Sequence, residues 1–174
     1  MAATVIYSTT ITSSQQTISM TNIPQTYKHL WLQVSSRSTN NSDWFTIGVN
    51  GDTATTYYQT RAWYTDRNGG TSINPLVQNP PSETPLTGAT FYGSGLANAF
   101  TQSEIYFPNY AYGGVEKTWL ATTSMASNGA PTRQSIYNNT RNAGNAIDSI
   151  QLRCQGISTN SNAAYTTVTL FGLP

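Results

Sequence analysis

Residues 27–37 read Tyr27-Lys28-His29-Leu30-Trp31-Leu32-Gln33-Val34-Ser35-Ser36-Arg37. On an extended chain Leu30, Leu32 and Val34 share one face, and His29, Trp31 and Gln33 share the other. One aliphatic and one mixed face predict a half-buried antiparallel strand. Outward from it, Trp44–Val49 repeats the pattern with Phe45, Ile47 and Val49, and then meets Asn50-Gly51-Asp52. Asn-Gly suits the positive φ angles of a tight turn, which predicts a hairpin into a strand over 55–64. Asn68-Gly69-Gly70 and Asn128-Gly129 give two more hairpin signals, the second joining strands over 118–125 and 133–139.

Ile150, Leu152 and Cys154 alternate with polar residues, as do Val168 and Leu170, so both stretches read as core strands. Shorter strands are expected over 4–11, 17–20, 87–92 and 102–107. Residues 72–85 contain Pro75, Pro80, Pro81 and Pro85, which donate no ladder hydrogen bonds and predict an ordered excursion or an edge-covering loop. Helical periodicity is nearly absent. About nine strands between Gly, Asn, Pro and Ser clusters predict an all-β, antiparallel two-sheet sandwich of jelly-roll type, with a barrel as the alternative. No internal repeat or linker divides the 174 residues, so a single domain over 1–174 is expected. Residues 1–12 have a strand pattern without a near hairpin partner, and read as an N-terminal strand or arm.

Only 9% of residues are charged, with 8 Lys and Arg against 7 Asp and Glu, a net charge of +1. These charges are scattered singly, which disfavours nucleic acid as a partner. Low charge does not mean disorder here, because 11% of the chain is aromatic, with 11 Tyr, 5 Phe and 4 Trp. No apolar run is long enough to span a bilayer, and the start, MAATVIYSTT, lacks the basic and apolar regions of an export signal. The lone Cys154 and lone His29 exclude an internal disulfide and cannot by themselves complete a structural zinc site.

Enzymatic groups are sparse. His29 would have to serve any Ser-His-Asp arrangement, yet it alternates with Leu30 along a strand, and no Gly-x-Ser-x-Gly elbow occurs. Cys154 is in phase with Ile150 and Leu152, as a small buried hydrophobe would be. Glycoside hydrolysis needs two converging carboxyl groups, and Asp43, Asp52, Asp66, Glu83, Glu104, Glu116 and Asp148 contain no pair close in sequence. Neither Asp43 nor Asp52 sits in a calcium-loop pattern. No catalytic residue, metal ligand or cofactor is therefore assigned. Aromatic residues are the abundant resource: Tyr57, Tyr58, Trp63 and Tyr64 crowd one stretch, and Tyr106, Phe107, Tyr110 and Tyr112 another. Tyr58, Trp63, Tyr64, Arg67, Tyr110 and Tyr112 are the candidate platform for a protein interface or a glycan, the alternative being that the rings fill the core.

Ile18 to Arg37, with its Ile23-Pro24-x-x-Tyr27-x-x-Leu30 strand, then Asn50-Gly51-Asp52 and Tyr57, resembles small virion structural proteins of tailed bacteriophages. The likeness extends to Lys117, to Ala146-Ile147-Asp148-Ser149-Ile150 and to the ending Val168-Thr-Leu-Phe-Gly-Leu173, where Phe171 replaces the family's usual Tyr. It spans most of the chain. The resemblance implies a non-enzymatic capsid decoration or cement protein that bridges major capsid subunits, made in the host cytoplasm and placed on the capsid exterior. A tail fibre or baseplate location and a carbohydrate-binding module recognising a host glycan are the alternatives, and a small hydrolase is the least favoured. Few charged gatekeepers on sandwich edges predict an oligomer, for which a homotrimer is expected.

Overall fold

The alternating stretch forms a strand over His29–Ser36, in which Leu30, Leu32, Val34 and Ser36 are buried and the residues between them half-buried. The computed structural model describes residues 2–39, 44–51, 58–66, 76–78, 84–85, 100–125, 133–141, 144–155 and 162–174. Among the described residues there is no helix, and the strands are β1 (Thr4–Thr10), β2 (Thr17–Met20), β3 (His29–Ser36), β4 (Trp44–Val49), β5 (Tyr58–Asp66), β6 (Leu76–Gln78), β7 (Thr84–Pro85), β8 (Thr101–Pro108), β9 (Lys117–Met125), β10 (Arg133–Arg141), β11 (Ile150–Gln155) and β12 (Thr167–Leu173). Nine of these twelve have six residues or more, in keeping with the expected number, and β2, β6 and β7 are shorter.

One sheet runs β1-β12-β3-β8-β9-β10-β5-β6 and the other β2-β11-β4-β7. Every neighbouring pair is antiparallel. Four pairs nest inside one another: β1 with β12, β2 with β11, β3 with β8 and β4 with β7. Nested pairs shared between two sheets are what a long antiparallel ribbon gives when it is rolled over itself, and that is the jelly-roll wrap. Strands β5–β6 and β9–β10 are additions to it, and both extend the larger sheet beyond β8.

The core lies between the sheets. Leu30, Leu32, Val34, Ile105, Phe107, Val168 and Leu170 from the larger sheet join Ile18, Met20, Phe45, Ile47, Val49, Ile150, Leu152 and Cys154 from the smaller one in a single buried cluster. Each such aliphatic or aromatic side chain contributes about 1.5–3 kcal/mol by leaving water. Much of the polar composition goes inside as well. Thr101, Ser103, Thr123 and Ser36 are buried, and the Ser103 and Thr123 hydroxyls bond across β8 and β9 at 3.0 Å.

One end of the sandwich interlocks segments far apart in sequence. The Asn50 amide donates to the Ala146 carbonyl at 2.7 Å, and its oxygen accepts the Asp148 N–H at 2.9 Å. Ile23 N–H donates to the Asp148 carbonyl at 2.9 Å, and Gln25 Nε2 bonds the carbonyls of Ile23 and Ile147. The Tyr110 hydroxyl donates to the Pro24 carbonyl. Nearby, Gly172 packs directly against the Tyr27 ring.

One expected pairing changes. Asn50 and Gly51 do adopt positive φ, 55° and 65°, but no β4–β5 hairpin follows. Both edges of β4 are occupied, by β11 and β7, so β5 joins the other sheet. Within residues 72–85 the structure describes two short edge strands, β6 and β7, and Pro85 is accommodated because β7 is an edge strand. Of the two readings of the N-terminal segment, the strand is the one seen: β1 pairs with β12 of its own chain, with a register shift between Val5 and Tyr7. β9 pairs with β10 and β5 with β6, both antiparallel; the turns expected at Asn128-Gly129 and Asn68-Gly69-Gly70 lie outside the described residues. The strand expected over 87–92 lies outside the described residues.

Candidate functional site

The outer face of the larger sheet carries side chains that the core does not use. Register places Val5 opposite Phe171, Phe171 opposite Trp31, Trp31 opposite Tyr106 and Tyr106 opposite Leu120. Cross-strand partners point to the same side, so this is one apolar row running across five strands. Trp31 and Phe171 are half-buried against each other, with ring centroids 5.3 Å apart. Leu120 is 47% exposed, and Ile136, diagonal to it on β10, is 46% exposed. Exposed aliphatic residues beside Tyr106 on an open sheet face make a contiguous patch suited to contact with another surface.

One pleat step away lies a polar row. Thr169 stands opposite Gln33, and Gln33 opposite Glu104. Together with Ser35, Gln102 and Thr167 these residues line a shallow depression of about 200 Å³. Gln102 Nε2 donates to Ser35 Oγ at 2.8 Å, which fixes one wall. Each of three adjacent strands thus offers a polar residue and, two positions along the same face, an aromatic one: Thr169 and Phe171, Gln33 and Trp31, Glu104 and Tyr106.

The residues singled out from the sequence are dispersed. Tyr110 is fully buried and hydrogen-bonded, so it is a core residue and not part of an accessible platform. Burial pushes its phenol pKa up. Tyr112 is 60% exposed in the turn after β8, away from the sheet face. Tyr58, Trp63 and Tyr64 belong to β5, where Trp63 is opposite Ile136 in register; their side chains, and Arg67 altogether, lie outside the described residues. Trp31, Gln33 and Glu104 read from the sequence only as a strand face and a lone carboxyl, and neither Leu120 nor Ile136 is singled out there. The signal for Leu120 was its phase: it alternates with Trp119 and Ala121, which turn inward.

His29 sits at the margin of this face, its ring 5.5 Å from that of Tyr106, with Nδ1 accepting the Asn109 N–H at 3.2 Å. The Cys154 thiol is buried and donates to Ser38 Oγ at 3.4 Å. Neither is placed beside an acid–base partner in these contacts. Among the described residues no three His, Cys, Asp or Glu side chains gather as metal ligands would, and no helix is long and apolar enough to cross a membrane. Lys117 is buried directly opposite Arg141, with Nζ donating to the carbonyls of Tyr112 and Val115. Burial, and secondarily the Arg141 charge, holds its pKa below the ordinary lysine value. That amine closes a turn; it does not face the sheet surface.

No family model, curated protein or solved structure matches the chain. The outer face of the larger sheet is weakly charged, apolar along one row and polar along the next.

Proposed function

We propose that this chain is a non-enzymatic virion structural protein of a tailed bacteriophage, a decoration protein that cements the head by bridging major capsid subunits. The observation that carries the reading is the interlock at one end of the sandwich. The separated stretches that compose the resemblance to phage virion proteins, around Ile23–Tyr27, Asn50, Ala146–Ile150 and Gly172, bond to or pack on one another. These motifs, distant in sequence, meet at one end of the sandwich.

In this reading the Tyr106, Leu120 and Ile136 patch docks against a capsid neighbour, and copies associate as homotrimers whose repeated modest contacts add by avidity. A contact built from apolar rings, amides and hydroxyls is less sensitive to salt screening than one built from ion pairs, as a particle exposed to changing media requires. The test compares particles assembled with and without the protein during heating. Earlier genome release from particles lacking it supports the cementing role, and equal survival rejects it. Electron-microscopic localisation of the protein on tails would move the assignment to a fibre or baseplate component.

A further inference from the structure

We infer that the polar depression on the larger sheet, with its flanking aromatic row, is a binding subsite for an uncharged pyranose. This goes beyond the virion reading and does not rest on it. The outward side chains of the lining, from Gln33, Gln102, Ser35, Thr167, Thr169 and Glu104, offer two primary amides, three hydroxyls and one carboxylate, while the buried Val34 and Ser103 complete it and no cation lines it. Amides and hydroxyls both donate and accept, as sugar hydroxyls do, and a carboxylate accepts from two hydroxyls at once. Phosphates, sulfates and acidic sugars would meet Glu104 without a compensating positive charge.

The second requirement of a sugar site is a flat apolar surface for the C–H face of the ring, and the neighbouring row supplies it. Phe171, Trp31 and Tyr106 lie in mutual register on β12, β3 and β8, immediately beside Thr169, Gln33 and Glu104. Positions two apart on a strand are separated by roughly 7 Å, about the width of one sugar ring. A pyranose lying across the step places its face on Trp31 and its hydroxyl edge over Gln33 and Glu104. Both rows belong to the central strands of a sheet paired on each side, so the subsite is held by the rigid part of the fold.

The test is titration of the full chain with the methyl glycosides of glucose, galactose, mannose and N-acetylglucosamine, with sialic acid and choline as charged comparisons, read by tryptophan fluorescence and saturation-transfer NMR. The expected result is saturable millimolar binding of at least one neutral glycoside, weakened about tenfold or more in Trp31→Ala and in Glu104→Ala and unchanged in Val115→Ala, an exposed position in the loop before β9. Glu104 is exposed, so its variant reports on the site even where Trp31→Ala fails to fold. Absence of saturable binding by every neutral glycoside overturns the inference, as does tighter binding of sialic acid or choline. Binding that survives Glu104→Ala and Gln33→Ala overturns the location. Glycoside binding and particle survival are separate readouts, so the failure of one proposal leaves the other standing.

Discussion

The ring of Tyr27 lies so close over the α-carbon of Gly172 that a methyl group there would fall within 2.6 Å of three of its ring carbons. The glycine in the penultimate position of β12 is therefore fixed by a residue from the opposite end of the chain. Its φ is not in the left-handed region, so space, not backbone conformation, sets the requirement. Gly172→Ala is expected to destabilise the fold by about 1–3 kcal/mol, as overpacking does. Denaturant unfolding measures this. A double-mutant cycle with Tyr27→Ala should recover part of the loss, because the two changes act on one contact; strictly additive losses would show that the ring is not the obstacle.

Asn50 combines a left-handed backbone with a side chain that ties β4 to the segment leading into β11. Its φ is 55°, and its amide bonds Ala146 and Asp148. Two substitutions separate these roles. Asn50→Gly removes only the side-chain bonds and should cost about 1–2 kcal/mol. Asn50→Ala should lose roughly a further 1 kcal/mol, because alanine pays the steric penalty of positive φ that glycine avoids. Equal stability of the two variants would refute the backbone part.

The fold was legible where one face of a strand is aliphatic. Leu30, Leu32 and Val34, Ile150, Leu152 and Cys154, and Val168 and Leu170 announced their faces by alternation alone, and all are buried. Pairing was less legible. Asn50-Gly51 carries a local turn preference that is satisfied, yet the destination of the chain after it depends on β11 and β7 already flanking β4, a long-range fact absent from any short window.

The candidate site was legible in composition but not in place. Abundant aromatic residues pointed to a ring-bearing surface, but crowding in sequence does not say which rings turn outward. Tyr110, next to other aromatics, is in the core, whereas Trp31 and Phe171, 140 positions apart, touch because β12 folds back onto β3. Inward-facing Ser103, Thr123 and Asn139 also blur the polar–apolar contrast on which alternation depends.

Two buried ionisable groups give opposite alkaline slopes. The Lys117 pKa is held below its ordinary 10.5, so in the window between the two values the unfolded chain binds a proton that the folded chain has shed, and stability rises with pH there. The Tyr110 pKa is raised above its ordinary 10.0, so above that pH the unfolded chain ionises first and stability falls. Lys117→Met should flatten the rising limb, and Tyr110→Phe the falling one, in urea midpoints measured across the alkaline range. A variant with the wild-type slope would mean that its group is not shifted.

Adjacent positions of β9 should respond oppositely to substitution. Leu120 is exposed on the outer face and Ala121 is fully buried on the inner one. Leu120→Lys, alone or with Ile136→Lys, exchanges solvent-facing apolar groups for charged ones and should change stability by no more than about 0.5 kcal/mol. Ala121→Leu inserts methylenes into a filled core and should cost about 1–3 kcal/mol. If the outer patch is the docking surface, the stable Leu120→Lys/Ile136→Lys protein should fail to join particles while Leu120→Met joins normally. Normal incorporation of the charged variant would move the capsid contact off this face, and a large loss of stability would show that the face is packed against another part of the chain.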